Sequence, residues 1–293
     1  MAWYDRNHLA TLNLAGNVVH GYRFDPRARR LHLLQTFSGP EGDARPENLA
    51  FSPDGRWLAI THIRRGGVDV HAVDRATGRF VAEPRITIRG ADRTLHGVGF
   101  SACSRYLAFT TLDEIARVRL FRIREEGPAR VWAESIQDFT SRRTRLKPKG
   151  VDFAPNGRFA AICYAPNVRE APGGSDGGLL CIHRCRPAGG IDPHPVSTAG
   201  RELVPSIPED VRFFPDGAHV AVSSQASDVV TLLAVDPETG AIQRPATTLR
   251  NPRARLSFPH GLGISPDGRF LAVSNYGDDT IAIFAVRGGG AVG

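Results

Sequence analysis

The apolar positions of this chain fall in short β-rich runs broken by turn residues, and one such run recurs along its whole length. The segments DRNHLATLN, DGRWLAITH, CSRYLAFTT, NGRFAAICY, DGAHVAVSS and DGRFLAVSN begin at Asp5, Asp54, Cys103, Asn156, Asp216 and Asp267. Successive starts lie 49, 49, 53, 60 and 51 residues apart, and each interval holds three or four strand-like runs with no helical period of comparable length. In the fifth interval the order is DVRFF, the turn PDG, HVAVSS, then VVTLLAV, the turn DPETG and a weaker run. These are read as strands A to D. Pro-Asp-Gly and Pro-Asn-Gly suit a tight reversal, because proline presets its φ, Asp or Asn bonds locally and glycine accepts positive φ. The A-to-B link is therefore expected to be a hairpin.

A lone four-stranded sheet cannot bury both faces, whereas repeats of this length stacked against each other can. The pattern predicts an all-β chain, a single closed β-propeller of about six four-stranded blades across residues 1–293, with strand A of each blade lining a central channel. Only Met1 to Tyr4 precede the first copy, and RGGGAVG follows the last. One terminus or the other is expected to complete an end blade.

The segments SPDGRFLAVSNYGDDTIAIFAV (Ser265 to Val286) and NLAFSPDGRWLAITH resemble the lactonase and YVTN group of β-propellers, and the resemblance runs through nearly the whole chain. It implies the propeller fold, in a group that includes lactone hydrolases, a cycloisomerase and proteins without catalysis. The group usually has seven blades, against six repeats here. The similar lactonases tend to carry Pro-Arg-His ahead of strand A, where this chain has Pro46-Glu47-Asn48 and Pro259-His260-Gly261.

Composition narrows the picture. No apolar run reaches the length of a membrane-spanning helix, and Met1 to Leu14 lack a basic-apolar-small leader, so a cytoplasmic protein with no membrane partner is expected. Of 37 basic residues all but Lys147 and Lys149 are Arg, and the net charge is +7. That charge is spread along the chain without interleaved aromatics, which argues against nucleic acid and leaves small anions as the expected partners. Four cysteines do not make a disulfide framework, and Cys163 and Cys181 lie in strand-like runs as small core residues. No motif specifies an oligomeric state.

Counting back from each turn, the position that opens strand A holds Glu47, His96, Lys149, Glu209 and His260, all ionisable. The position that ends strand B holds Asn13, His62, Thr111, Tyr164, Ser224 and Asn275. Blade symmetry would gather these at one channel mouth, with Arg93 and Arg145 on the entering loops, where arginine forks suit carboxylate or phosphate. The insertion Ala165 to Gly178 could cover it.

The chemistry expected is an enzyme acting on a small anionic molecule, a lactonase-like hydrolase, lyase or isomerase. His96, His260, Glu47 and Glu209 would serve as acid–base groups and Lys149 as anion partner, with His62, Tyr164, Asn275, Asn13, Arg145 and Arg93 touching substrate. No cofactor is favoured. If a divalent metal is present, His96, His260, Glu47 and Glu209 are its ligands, and a metal-dependent enzyme is one alternative. The other alternative is a noncatalytic propeller scaffold that binds protein across its rim. Asp152 and Arg212, which replace Gly or Ala in strand A of neighbouring copies, are expected to pair.

Overall fold

A computed structural model describes residues 1–38, 45–90, 92–127, 130–140, 146–166, 177–187, 189–250, 254–287 and 291–292. The chain divides into two compact units, Met1–Asp138 and Phe139–Gly293. The first holds the sheets β1 (Ala2–Trp3) to β4 (Arg30–Ser38), through β2 (His8–Asn13) and β3 (Val18–Asp25), and β5 (Pro46–Phe51), β6 (Trp57–His62), β7 (Val68–Asp74) and β8 (Arg79–Ile88). Its third sheet is β9 (Leu95–Phe100), β10 (Tyr106–Thr111), β11 (Val118–Glu126) and β12 (Arg130–Phe139). The second unit holds β13 (Leu146–Phe153), β14 (Phe159–Pro166), β15 (Leu179–Cys185) and β16 (Ile191–Ala199). Then follow β17 (Pro208–Phe213), β18 (His219–Ser224), β19 (Val229–Val235) and β20 (Ile242–Arg250), and finally β21 (Pro259–Ile264), β22 (Phe270–Asn275), β23 (Thr280–Arg287) and β24 (Ala291–Val292). The six antiparallel sheets are the blades of a six-bladed β-propeller, as the repeat predicts.

The turns behave as their residues require. Gly55, Gly157, Gly217 and Gly268 take φ of 67 to 71°, and in the third blade Ser104 takes φ 59° in their place. Each of these N–H groups closes the turn on the carbonyl three residues back, such as Gly55 N to Ser52 O at 2.9 Å and Ser104 N to Ser101 O at 2.8 Å.

The core lies between neighbouring blades. In the first unit Ala10 and Val19 pack with Leu49, Leu58, Ile60, Val73 and Phe80, and Val68 and Val70 pack with Val98, Leu107 and Phe109. In the second, Ala161, Leu180 and Ile182 meet Val211, Val220 and Val222, while Val230 and Leu232 meet Leu262, Leu271 and Val273. Strands such as WLAITH (β6) and PEDVRF (β17) are buried at every position, whereas the outer strands β4, β8, β12, β16 and β20 are largely exposed. Each fully buried Leu or Phe contributes roughly 1.5–3 kcal/mol, so stacked inner strands supply most of the stability. The cysteines are free, with Cys163 and Cys181 buried as expected.

Candidate active site

Every ionisable residue singled out at the opening of strand A is the extra residue of a β-bulge. Pro46 pairs with His62 and Asn48 with Thr61, which leaves Glu47 unmatched. In the same way His96 and Gly97 together face Thr110, Lys149 and Gly150 face Cys163, Glu209 and Asp210 share the step between Ser224 and Ser223, and His260 and Gly261 face Ser274. A bulge bends its strand and re-aims one side chain. Here it does so at one register position in five blades.

The bulge leaves a backbone N–H without its ladder carbonyl, and a side chain on strand B takes it. Asn48 N donates to Thr61 Oγ1 (3.0 Å), Gly97 N to Thr110 Oγ1 (2.8 Å), Gly150 N to Cys163 Sγ (3.2 Å), Asp210 N to Ser223 Oγ (3.1 Å) and Gly261 N to Ser274 Oγ (2.9 Å). Two of these hydroxyls also reach the following blade: Thr61 donates to His96 O (2.6 Å) and Ser223 to His260 O (2.7 Å). Burial pushes the Cys163 thiol up, so it stays neutral in its acceptor role. The residue before proline at three of these starts, Arg45, Ile207 and Phe258, takes positive φ of 43 to 54°. Its carbonyl accepts an N–H from just beyond strand B, as Ile63 N does to Arg45 O at 3.0 Å.

In the first unit the bulges of adjacent blades bring Glu47 and His96 together, with Oε1 and Nε2 3.1 Å apart and side chains 5% and 2% exposed. A buried carboxylate beside an imidazole fixes the ring's orientation and stabilises its charged form. His62 ends β6, and its Nε2 lies 2.9 Å from Asp69 Oδ2, both side chains buried. Burial pushes the Asp69 carboxyl up, but hydrogen bonding from His62 and from Thr87 Oγ1 (2.8 Å) outweighs it and holds the group below the usual range. Arg93 is exposed three residues before His96, with its backbone N–H on Asp113 Oδ2 (3.1 Å). Asn13 is exposed and caps its own turn through Gly16 N (2.8 Å).

In the second unit Lys149 Nζ bonds both oxygens of Glu209, at 3.0 and 3.1 Å. The expected anion partner is thus already engaged by a carboxylate. His260 is half-buried and stacks at a tilt 6.3 Å from the exposed Tyr276, which also meets Phe258 at 6.1 Å. Tyr164 is buried and its hydroxyl is driven upward by burial. Asn275 is used in structure: it accepts from Ser257 N (3.2 Å) and donates to Arg255 O (3.1 Å) and Thr280 Oγ1 (3.0 Å). Within the first unit Glu47 and His96 thus form an acid–base pair, and within the second Lys149 and Glu209 form an ion pair. Arg145 and most of the insertion, residues 167–176, lie outside the described residues.

Arg212 and Asp152 stand 4.0 Å apart, but Arg212 reaches Asp210 more closely, at 3.3 Å. Asp210 in turn accepts Leu262 N of the next blade (2.9 Å). The strand-B hydroxyls, Asp210 and Asp69 are the residues that the sequence reading misses. The hydroxyls carry a usable signal, one small donor immediately before the residue that ends strand B.

No protein-family model and no curated protein matches the chain. Solved structures do. The periplasmic gluconolactonase PpgL of Pseudomonas aeruginosa matches with TM-score 0.64 at 20% identity, over 98% of this chain and 80% of that one. A Bacteroides fragilis protein provisionally named a 6-phosphogluconolactonase matches with TM-score 0.63 at 20% identity, over 100% and 81%. A β-propeller domain from Myceliophteria thermophila matches with TM-score 0.61 at 15% identity, over 99% and 86%. At these identities the likeness is one of fold.

Proposed function

We propose that the protein is a lactonase-like hydrolase that opens a small anionic lactone at the end of the blades where strand A begins. The observation that carries this reading is the buried Glu47–His96 pair, two ionisable side chains that bulges in adjacent blades bring within 3.1 Å of each other. Lactone opening needs a proton taken from water and one given to the ring oxygen, and an imidazole held by a carboxylate is suited to such a transfer near neutral pH. Arg93, close before His96 in the chain, supplies positive charge for an anionic substrate. The likeness of fold to the P. aeruginosa gluconolactonase is consistent with this choice of substrate class.

The test is hydrolysis of a panel of aldonolactones and phosphorylated aldonolactones, followed as acid release by the purified protein before and after EDTA treatment. Turnover that survives chelation and falls at least ~100-fold in His96→Ala is expected, as for loss of a general acid–base group. Turnover lost on chelation would replace this reading with a metal-dependent one, and no turnover on any lactone would end it.

A further inference from the structure

His62, like His96, faces a buried carboxylate, and in this it differs from the buried His71 and His183. His71 and His183 each bond a backbone carbonyl through Nδ1, Val81 O at 2.9 Å and Asp192 O at 2.8 Å. Both rings lie against a phenylalanine, Phe37 and Phe139, and burial holds both in the neutral form. These are core residues. His62 instead faces a carboxylate 2.9 Å away. Asp69 is 1% exposed, its other oxygen is fixed by Thr87, and Arg65 Nη1 stands 3.6 Å from it. The backbone around the ring is pinned too, since His62 N donates to Gly67 O at 3.1 Å.

Both ring nitrogens of His62 and Asp69 Oδ2 are buried and make no hydrogen bond of good geometry among the described residues; Nε2 has the carboxylate 2.9 Å away, whereas Nδ1 has no such neighbour. A buried polar atom without a partner is costly and calls for an explanation. Position supplies one. His62 closes strand B directly opposite Pro46, so it neighbours Glu47 at the bulge, and the next residue, Ile63, bridges to Thr94, two residues before His96. A neutral ring that keeps its proton on Nε2, toward the carboxylate 2.9 Å away, presents a lone pair at Nδ1.

We infer that Asp69–His62 is a second carboxylate–imidazole dyad, in which His62 Nδ1 accepts the proton of the attacking water in the reaction assigned to the Glu47–His96 end of the blades. The inference rests on that reading. In the step, the water oxygen bonds to the lactone carbonyl carbon while one of its protons passes to His62 Nδ1. The ring C–O bond then breaks, and the ring oxygen takes a proton from the His96 imidazolium. One lactone and one water yield one hydroxy acid, and the proton left on His62 returns to His96 through solvent. His62 would be a catalytic residue and Asp69 a positioning residue.

The experiment is steady-state hydrolysis of a phosphorylated aldonolactone, 6-phospho-D-glucono-δ-lactone, by the wild type, His62→Gln, Asp69→Asn and the double variant, with melting curves for each. His62→Gln should lower kcat ~100-fold or more, with KM within about threefold. Asp69→Asn should lower kcat at least ~10-fold, and the double variant should be no worse than His62→Gln, because Asp69 acts through the ring. A His62→Gln protein with wild-type kcat, beside an active wild type and an inactive His96→Ala, would overturn the dyad and leave the lactonase reading standing. An inactive wild type would overturn both. In case a variant fails to fold, long-range nitrogen–proton NMR on the wild type at pH 8 should show His62 protonated at Nε2 and bare at Nδ1. A proton on Nδ1 would overturn the assignment.

Discussion

Asp152 shows how far one residue can set the conditions for its blade. It stands in β13 where the equivalent residues of other blades are Ala50, Gly99 and Gly263, and it accepts Phe213 N at 2.8 Å. Burial raises its carboxyl to about 6, against the lowering effects of Arg212 and the backbone hydrogen bonds. A folded-state value raised above the unfolded one means that the folded chain holds this proton more tightly. The stabilising effect is therefore full below the unfolded value and lost as pH rises through about 6. Above that, the ionised group costs at most about 3 kcal/mol. Asp152→Asn keeps the acceptor for Phe213 and leaves Arg212 with Asp210. It should thus melt higher than the wild type at pH 7.5, with the gap shrinking to roughly half at pH 5. An unchanged gap at both pH values in calorimetry would contradict this assignment. The pairing of Asp152 with Arg212 is half legible in the sequence, because two charges stand out in a row of small residues. The closer partner, Asp210, is not, since it shares a strand with Arg212 and only the packing of three strands A makes it central.

At the scale of the element, the bulge and its capping hydroxyl are one device repeated through the blades. Thr61 closes the Glu47 bulge and holds the His96 carbonyl of the next blade, so a single hydroxyl places both members of the acid–base pair. Thr61→Val preserves shape but strands one buried donor and one buried acceptor. A loss of about 1–3 kcal/mol in denaturant unfolding is expected. Thr248→Val, on the exposed outer strand β20, should stay within about 0.5 kcal/mol. Equal effects would show that the hydroxyl is no more than a strand residue. The strand-A position was legible because the Pro-Asp-Gly turn anchors the count, and every copy keeps the same distance to it. The bulge itself was not, because an extra residue is visible only against the register of its partner strand. Asp69 escaped for a related reason: strand C has no turn motif at a fixed distance, and only the fold brings Asp69 to His62.

For the molecule as a whole, the repeat determines the architecture more firmly than any side chain does. Both terminal blades are completed locally: the N-terminal run gives β1, pairing Ala2 with Ala10, and the C-terminal tail gives β24, pairing Val286 with Val292. The expectation that one terminus would serve is met by each at its own end. Fold alone does not choose a reaction, so the proposed lactone opening depends on whether Glu47 and His96 act as a unit. The most direct measurement is kcat/KM for a phosphorylated aldonolactone in Glu47→Gln, His96→Ala and the double variant, with folding checked by circular dichroism. If Glu47 works by orienting and charging the His96 ring, the double variant will be no slower than His96→Ala, although Glu47→Gln alone is slowed at least ~10-fold. Losses that multiply, or single variants with wild-type turnover, would contradict it.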